Sequence, residues 1–524
     1  TAKVFGERKF CALLPLFDFL QPAWNASAGE RALEMLRQLF TRFTGCFSRR
    51  QFLEPGGYRE IWRIAWPLVV LNASNTVMMI TNRVFIARSS PEEIAAAMPA
   101  GQMFFTLMAF FLITTGFTAT IVAQFHGHRD GIGCVKAAWN GFYFGAAVAA
   151  LLAFALPAAG YWIIMHNGHD PVIALQEADY FVAMAPCAGL TCMETAFLSF
   201  FTGRGKTALV AGIKIIGCIV CIPMNYLLIF GGFGLPALGI LGAGLANSFA
   251  NLCTFAIALS FFLLVRQSEF PTRSYKAFDR VFIRRLLRFG MPAGFQTFLR
   301  NAAFAVVVMM IGHLGNEELT ATSIALSINM IGNMPMIGLM DATSVVTGQF
   351  IGQRRLLVVE RISGRSWRML MCWTLSMGLL YWLAPEFLIR LFGSRNTASA
   401  SMDMSQVTDY AVTILRFAAV FNILDATRFI AMGSLRGAGD TTVPLWIGMA
   451  TSWLIQIPGT VLLVYVYRAS IGAVWALITF YIAVDAALMV WRRRSGAWKK
   501  INLIGLPPAS PAAELREHPE DASA

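Results

Sequence analysis

Charge is what this chain has little of. Lys, Arg, Asp and Glu make up 14% of its 524 residues, against about a quarter in soluble globular domains. A soluble fold of this length is therefore excluded. Metal-ligand spacing is missing as well: the nine cysteines are scattered, and Cys218-x-x-Cys221 has no second pair to complete a four-ligand zinc site. No nucleophile–base pair and no cofactor motif stands out, which argues against an enzyme. The glycine-rich turns at 203–206 and 436–440 lack the G-x-x-x-x-G-K-[ST] pattern and the preceding strand of a phosphate loop.

What is present is apolar. Hydrophobic residues make up 57% of the chain and the mean hydropathy is +0.60. Runs of about 20 apolar residues, enough to cross about 30 Å of hydrocarbon as helix, recur along almost its whole length. In lipid such runs must be helical, because every backbone amide needs a partner. Twelve spans are expected, at 60–88, 93–124, 135–164, 173–202, 207–231, 238–265, 282–312, 317–349, 366–392, 407–434, 441–467 and 471–491.

An even count puts both termini on one side, and the basic residues say which. Arg59 and Arg63, Arg129 and Lys136, Arg204 and Lys206, Arg273 to Arg288, Arg354 and Arg355, Arg436, and Arg492 to Arg494 all fall at one end of the spans. The other end holds little beyond Arg88, Arg390, Arg395 and Arg468. Short cytoplasmic loops carry the excess of Lys and Arg, so both termini are expected in the cytoplasm of a cell with a plasma (bacterial inner) membrane. The net charge of +13 is thereby explained by topology, without nucleic acid.

The chain repeats itself. A shift of 225 residues puts Pro67 on Pro292, Glu92-Glu93 on Glu317-Glu318, Thr118 on Thr343, Gln124-Phe125 on Gln349-Phe350, Gly127 on Gly352 and Arg129 on Arg354. Further on, TGRGKT at 202–207 meets RGAGDT at 436–441. Six spans per copy is an even number, so the copies enter the bilayer in the same sense and are related by an axis along its normal. Parallel repeats around a midplane cavity are a transporter design. The expected fold is an all-α polytopic membrane protein of two parallel six-helix repeats. Its lobes cover 56–270 and 271–500, after an extension over 1–55 and before a disordered tail over 501–524. In the extension, ERALEMLRQLFTRF sets Leu33, Leu36, Leu39, Phe40 and Phe43 opposite Arg31, Arg37 and Arg42, which reads either as a helix lying on an anionic leaflet or as a solvated extension.

These features together resemble the multidrug and toxic compound extrusion family. The pairing of GRGKT with RGAGDTTVP at the ends of the fourth and tenth spans carries the likeness, and FNILDATRFIAMGSLRGAGDTT (421–442) is similar to the family's bacterial multidrug-efflux branch. The resemblance spans about 55–500 and implies an antiporter exporting organic cations or amphipathic drugs against protons or sodium, with acids inside the helices as coupling sites. Asp425 matches the acid of the tenth helix. Fifteen residues after the first-span proline, where the family has an acid, stands Asn82; eight after the seventh-span proline, where the efflux branch has Glu, stands Arg300.

An ionisable group at mid-membrane costs about 2.5 to 3.5 kcal/mol on insertion scales, so each invites a functional reading and a partner. Asp425 is the expected ion-coupling residue, and Glu194, nine residues before Gly203, its candidate in the first lobe, with Lys214 or Arg204 as alternative ion-pair partners. Asn75, Asn82, Gln296, Arg300, Asn329 and Arg428 are expected to line the substrate cavity. Arg300 has three readings: an ion pair with Asp425, an anion receptor together with Arg83 and Arg428, or structure alone. Asp341 and Asp485 read as isolated acids. No metal and no cofactor beyond the coupling ion are expected, and the partners are a small-molecule substrate and the bilayer around a single copy of the chain. The rival functions are a flippase for an anionic or lipid-linked amphiphile and a non-transporting scaffold.

Overall fold

The computed structural model describes residues 49–165, 171–232, 234, 236–265, 268–392 and 404–505. The interfacial helix expected at 30–43 and the tail beyond 505 lie outside them. Two compact units are distinguished, Thr1–Arg59 and Glu60–Ala524. Of the first, a short helix Arg49–Leu53 is described; the architecture below is that of the second.

Its long helices are α1 (Tyr58–Ser89), α2 (Pro91–Gly116, continued as Thr118–Gly127), α3 (Gly131–Met165), α4 (Pro171–Gly203), α5 (Thr207–Phe230) and α6 (Gly239–Leu263) in the first lobe. The second lobe holds α7 (Arg280–Ile311), α8 (Asn316–Gly352), α9 (Leu356–Leu383), α10 (Met404–Ala438), α11 (Thr442–Val466) and α12 (Ile471–Arg494). Among the described residues eleven helices are long and apolar enough to span a membrane, and a twelfth span is reached if α9 is counted with the helix after it. The ninth span is the departure from expectation. It ends at Leu383, not near 392, and Pro385–Leu391 runs on at 88° to it. Ala384 precedes a proline, whose ring pushes it out of the helical region; its φ is −133°.

Local chemistry sets several boundaries. Ser90 caps α2 by accepting the Glu93 amide at 3.1 Å, with Pro91 at the first helical position, where a missing N–H loses nothing. Asp279 caps α7 by accepting from the Val281 amide at 2.9 Å. The matched prolines differ: Pro67 sits inside an unbroken α1, whereas Pro292 follows a wide turn at Leu286–Gly290. Such a turn absorbs the hydrogen bond that proline cannot make.

Within the first lobe α4 packs on α3, α6 and α2; within the second α10 packs on α8, α9 and α12. An aromatic cluster of Trp139, Phe197, Phe200 and Phe262 fills the first lobe near the basic end. The Arg204 guanidinium lies 3.7 Å from the centre of the Phe270 ring and 4.8 Å from that of Phe200. Leu503 and Ile504, which the sequence assigns to a disordered tail, are buried with Phe125, Phe282 and Leu286. The ordered chain therefore reaches past α12 at that end.

The repeat survives in the backbone. Three non-glycine residues among those described have positive φ, and two of them, Arg129 at 61° and Arg354 at 64°, are matched positions. They turn the chain from α2 to α3 and from α8 to α9, on the walls of a cavity of about 960 Å³ at the basic end.

Candidate functional site

Two arrangements define the site: a seal between the lobes at the basic end, and a charged cluster inside the second lobe. The seal is built from matched residues. Gln124 on α2 donates its amide to the carbonyl of Gly437 on α10 at 2.9 Å, and Gln349 on α8 donates to that of Gly203 on α4 at 2.7 Å. Gly127 and Gly352 let the chains come this close. A Cβ on Gly127 would overlap the Gln349 carbonyl, and one on Gly352 the Gln124 carbonyl. Thr120 and Ser344 add a hydroxyl contact at 3.4 Å between α2 and α8. Nearer mid-membrane Gly338 of α8 backs onto Val69 of α1, and Gly294 of α7 onto Phe110 and Thr114 of α2.

The turn motif after α10 supports this end residue by residue. Gly437 packs on Ser344 and Thr347, Gly439 adopts φ +87°, Arg436 pairs with Asp341 at 3.8 Å, and Asp440 pairs with Arg492 of α12 at 2.7 Å. Asp341, isolated in the sequence, thus has a cation of the turn.

The charged cluster answers why an acid and an arginine stand three apart in an apolar helix. Positions i and i+3 share a helix face, and Asp425 and Arg428 both turn inward, 8% and 5% exposed. Arg428 reaches Asp425 Oδ1 through Nε at 2.6 Å and Nη2 at 2.5 Å. The same Nε lies 3.7 Å from Oδ2 of Asp485 on α12. One guanidinium therefore serves two buried carboxylates, the condition under which charges in a low-dielectric interior persist. Arg300 of α7 is half-buried. Its charged and titratable neighbours are Arg428, Asp425, Tyr481 and Asp485, and no carboxylate oxygen lies within 4.0 Å of it among the described residues.

The first lobe holds something different. Asn82 is 8% exposed; it donates to Asn247 Oδ1 of α6 at 2.9 Å and accepts from Asn225 Nδ2 of α5 at 2.6 Å. The polar centre here is a knot of amides with Cys221 beside it. Glu194 stands apart from the knot, fully buried, with Lys214 Nζ of α5 at 2.8 Å from its Oε2.

Of the six residues expected to line a cavity, the structure turns four into the lobes. Asn82 and Arg428 are held as described. Gln296 donates to the Pro444 carbonyl of α11 at 2.8 Å, and Asn329 accepts from Asn422 of α10 at 2.8 Å. Buried amides need partners, and the adjoining helix supplies them. Asn75 is exposed and Arg300 half-buried. Asp485, an isolated acid in the sequence, joins the cluster through Arg428. An acid alone in an apolar span was the available signal, but its partner depends on α12 lying against α10, which spacing does not reveal.

The family described as MatE matches the chain twice, over residues 67–227 and 292–462, the two starts lying 225 residues apart. The chain is 29% identical over 429 residues to a probable multidrug resistance protein NorM of Pseudomonas aeruginosa, covering 80% of this chain and 85% of that protein. It is 28% identical over 464 residues to the protein of the same name from Pseudomonas putida, covering 85% and 96%. Among solved structures, an outward-facing multidrug resistance MATE family transporter of the MOP superfamily superposes with a TM-score of 0.76 at 18% identity, covering 86% of this chain and 97% of that one. A MOP superfamily transporter from Pyrococcus furiosus, described by the reverse polarity of its binding pocket, gives 0.74 at 19% identity over 86% and 98%.

Proposed function

The chain belongs to the MatE family, and from that premise we propose that it exports amphipathic small molecules, organic cations among them, by antiport against protons or sodium. Its relatives carry the name multidrug resistance protein, which supports a broad substrate range. The excess of Lys and Arg at the basic end supports a cytoplasmic position for that end and for both termini. The lobes are then joined at their cytoplasmic end.

The observation that carries this reading is the reciprocal seal. Gln124 and Gln349 hold opposite lobes through two hydrogen bonds related by the repeat. Each such bond contributes about 0.5 to 1.5 kcal/mol net, so the seal is strong enough to set a state and weak enough to part. Rocking of the lobes about the cavity would open the cytoplasmic side, as parallel repeats permit. The cluster of Asp425, Arg428, Asp485 and Arg300 is the coupling element. A cation arriving at Asp425 weakens its hold on Arg428 within α10 and leaves the guanidinium to Asp485 of α12, and a ligand can shift the two states only by such a differential interaction.

Inverted membrane vesicles containing the protein test this reading. With an imposed pH or sodium gradient, ethidium should accumulate and the gradient should decay faster than in vesicles without the protein. Failure of any gradient to drive ethidium or another amphipathic dye would refute it.

A further inference from the structure

We propose that the segment after α12, residues 495–505, is a strap that moves with the second lobe and docks into the basic end of the first. The cytoplasmic side then opens only when Leu503 and Ile504 leave that dock. The inference rests on the rocking of the lobes in the antiport reading above, and it adds a second contact to the glutamine seal.

The segment is fixed to the second lobe at several points. Gly496, at φ +70°, ends α12 in the left-handed conformation that glycine permits. One turn of helix follows, Ala497–Lys500. Trp498 is buried and donates its indole N–H to the Arg493 carbonyl at 3.0 Å, while Lys499 Nζ lies 2.5 Å from Glu360 Oε1 of α9. Asp440 and Arg492 tie the turn after α10 to α12 just before the segment leaves it. Ile501 and Leu503 then lie over that same turn. A Cβ on Gly439 would stand 3.4 Å from Cγ2 of Ile501 and 3.5 Å from Cβ of Leu503.

The far end of the segment belongs to the other lobe's interior. Leu503 and Ile504, 1% and 5% exposed, join a buried cluster built from side chains of α2 to α6, with Phe270 and the start of α7. Phe125 of α2 is a member of that cluster and stacks on Phe282 of α7 at 5.5 Å. Its neighbour in the chain is Gln124, whose amide crosses to Gly437, two residues before Gly439. The apolar contact and the hydrogen bond therefore bridge one boundary, between α2 and the turn after α10. Parting the lobes there uncovers apolar side chains to water, which opposes the motion in proportion to the area exposed.

The repeat separates this contact from ordinary packing. Gly205 and Gly439 hold equivalent places in the two turns, at φ +75° and +87°. After α6 the chain also returns over its own lobe's turn, where the Arg204 guanidinium lies 3.7 Å from the centre of the Phe270 ring. Phe270 is buried with the lobe it follows, whereas Leu503 and Ile504 are buried with the opposite one. The glutamine seal is made twice, and the strap has no such twin among the described residues.

The test uses the full chain in proteoliposomes, spin-labelled on the α2–α3 and α8–α9 turns. Double electron–electron resonance compares the wild type with Leu503→Ser/Ile504→Ser and with Gln124→Ala/Gln349→Ala. In Leu503→Ser/Ile504→Ser the population at the longer cytoplasmic distance should rise about tenfold, the factor that 1.4 kcal/mol corresponds to. A second reading leaves the dock filled: Ile504→Cys is labelled with a membrane-impermeant maleimide and quantified at that site by mass spectrometry. Labelling should be slow in the otherwise wild-type chain and accelerate once Gln124→Ala/Gln349→Ala is added, in step with the longer distance. A folded Leu503→Ser/Ile504→Ser protein that melts lower but keeps the wild-type distances overturns the proposal. So does growth of the longer distance in Gln124→Ala/Gln349→Ala with Ile504→Cys still protected, and this reading decides the matter even where Leu503→Ser/Ile504→Ser fails to fold. Absence of the longer distance in all three proteins, together with no gradient-driven ethidium flux, would instead refute the antiport reading itself.

Discussion

Gln124 and Gln349, 225 residues apart in the chain, do the same work in opposite directions. Each sends its side-chain amide across the lobe boundary to a glycine carbonyl, at 2.9 Å on Gly437 and 2.7 Å on Gly203. Those glycines belong to the two turn motifs that the repeat also matches. A seal made twice by one rule should be weakened twice by equal amounts.

Replacing either glutamine by alanine removes one inter-lobe hydrogen bond, about 0.5 to 1.5 kcal/mol. Gln124→Ala and Gln349→Ala should each move the equilibrium toward the cytoplasm-open form by a similar factor, and the double variant by about their product. Spin labels on the α2–α3 and α8–α9 turns, read by double electron–electron resonance, check this as growth of a longer distance. Strongly unequal effects would show that the two crossings are not equivalent.

Gly127 and Gly352 are where backbone meets backbone between the lobes. A methyl group at Gly127 would overlap the Gln349 carbonyl, and one at Gly352 the Gln124 carbonyl. Neither obstacle is the flexible end of a side chain, so the cost falls on the sealed state alone. Gly127→Ala and Gly352→Ala should therefore favour the cytoplasm-open form more than the glutamine variants do, while heat stability falls little. Cysteine accessibility to a membrane-impermeant maleimide from the cytoplasmic side checks this, with increased labelling expected.

Glu194 and Lys214 form a buried ion pair at 2.8 Å, with the carboxylate fully enclosed. Removing one partner of such a pair costs about 3 to 5 kcal/mol, because the other is left buried and charged. Lys214→Met should lower thermal stability in detergent sharply, and adding Glu194→Gln should restore most of it. If the double variant is stable but no longer couples transport to the gradient, Glu194 has the coupling role that the sequence suggested. If it transports normally, the pair is structural.

Much of this was legible in the sequence. The shift of 225 located Gln124 with Gln349 and Arg129 with Arg354, and the structure gives each pair one conformation and one role. Hydropathy placed the long helices, because hydrocarbon thickness and backbone pairing leave few alternatives. It missed the break at Ala384, where the rule for a residue before proline outweighs an apolar run. The site was legible only along one helix. Asp425 and Arg428 share a face by spacing, whereas Asp485 joins them from α12, 60 residues onward. The amides Asn82, Gln296 and Asn329 are polar residues in apolar helices, and sequence alone does not say whether such a group meets a ligand or a neighbouring helix. The helix pairing supplies each of the three with a partner on an adjoining helix.

The central claim is that the carboxyl group of Asp425, held by Arg428, is where the driving ion acts. It is tested most directly by loading inverted vesicles with a pH-sensitive dye and recording proton release on adding ethidium, for the wild type and for Asp425→Asn. Asparagine keeps an oxygen for Arg428, and Arg428 keeps Asp485, so the variant should fold and should still exchange ethidium across the vesicle membrane without a gradient. Proton release and gradient-driven accumulation should both be lost in Asp425→Asn. Proton release at the wild-type rate in that variant would contradict it.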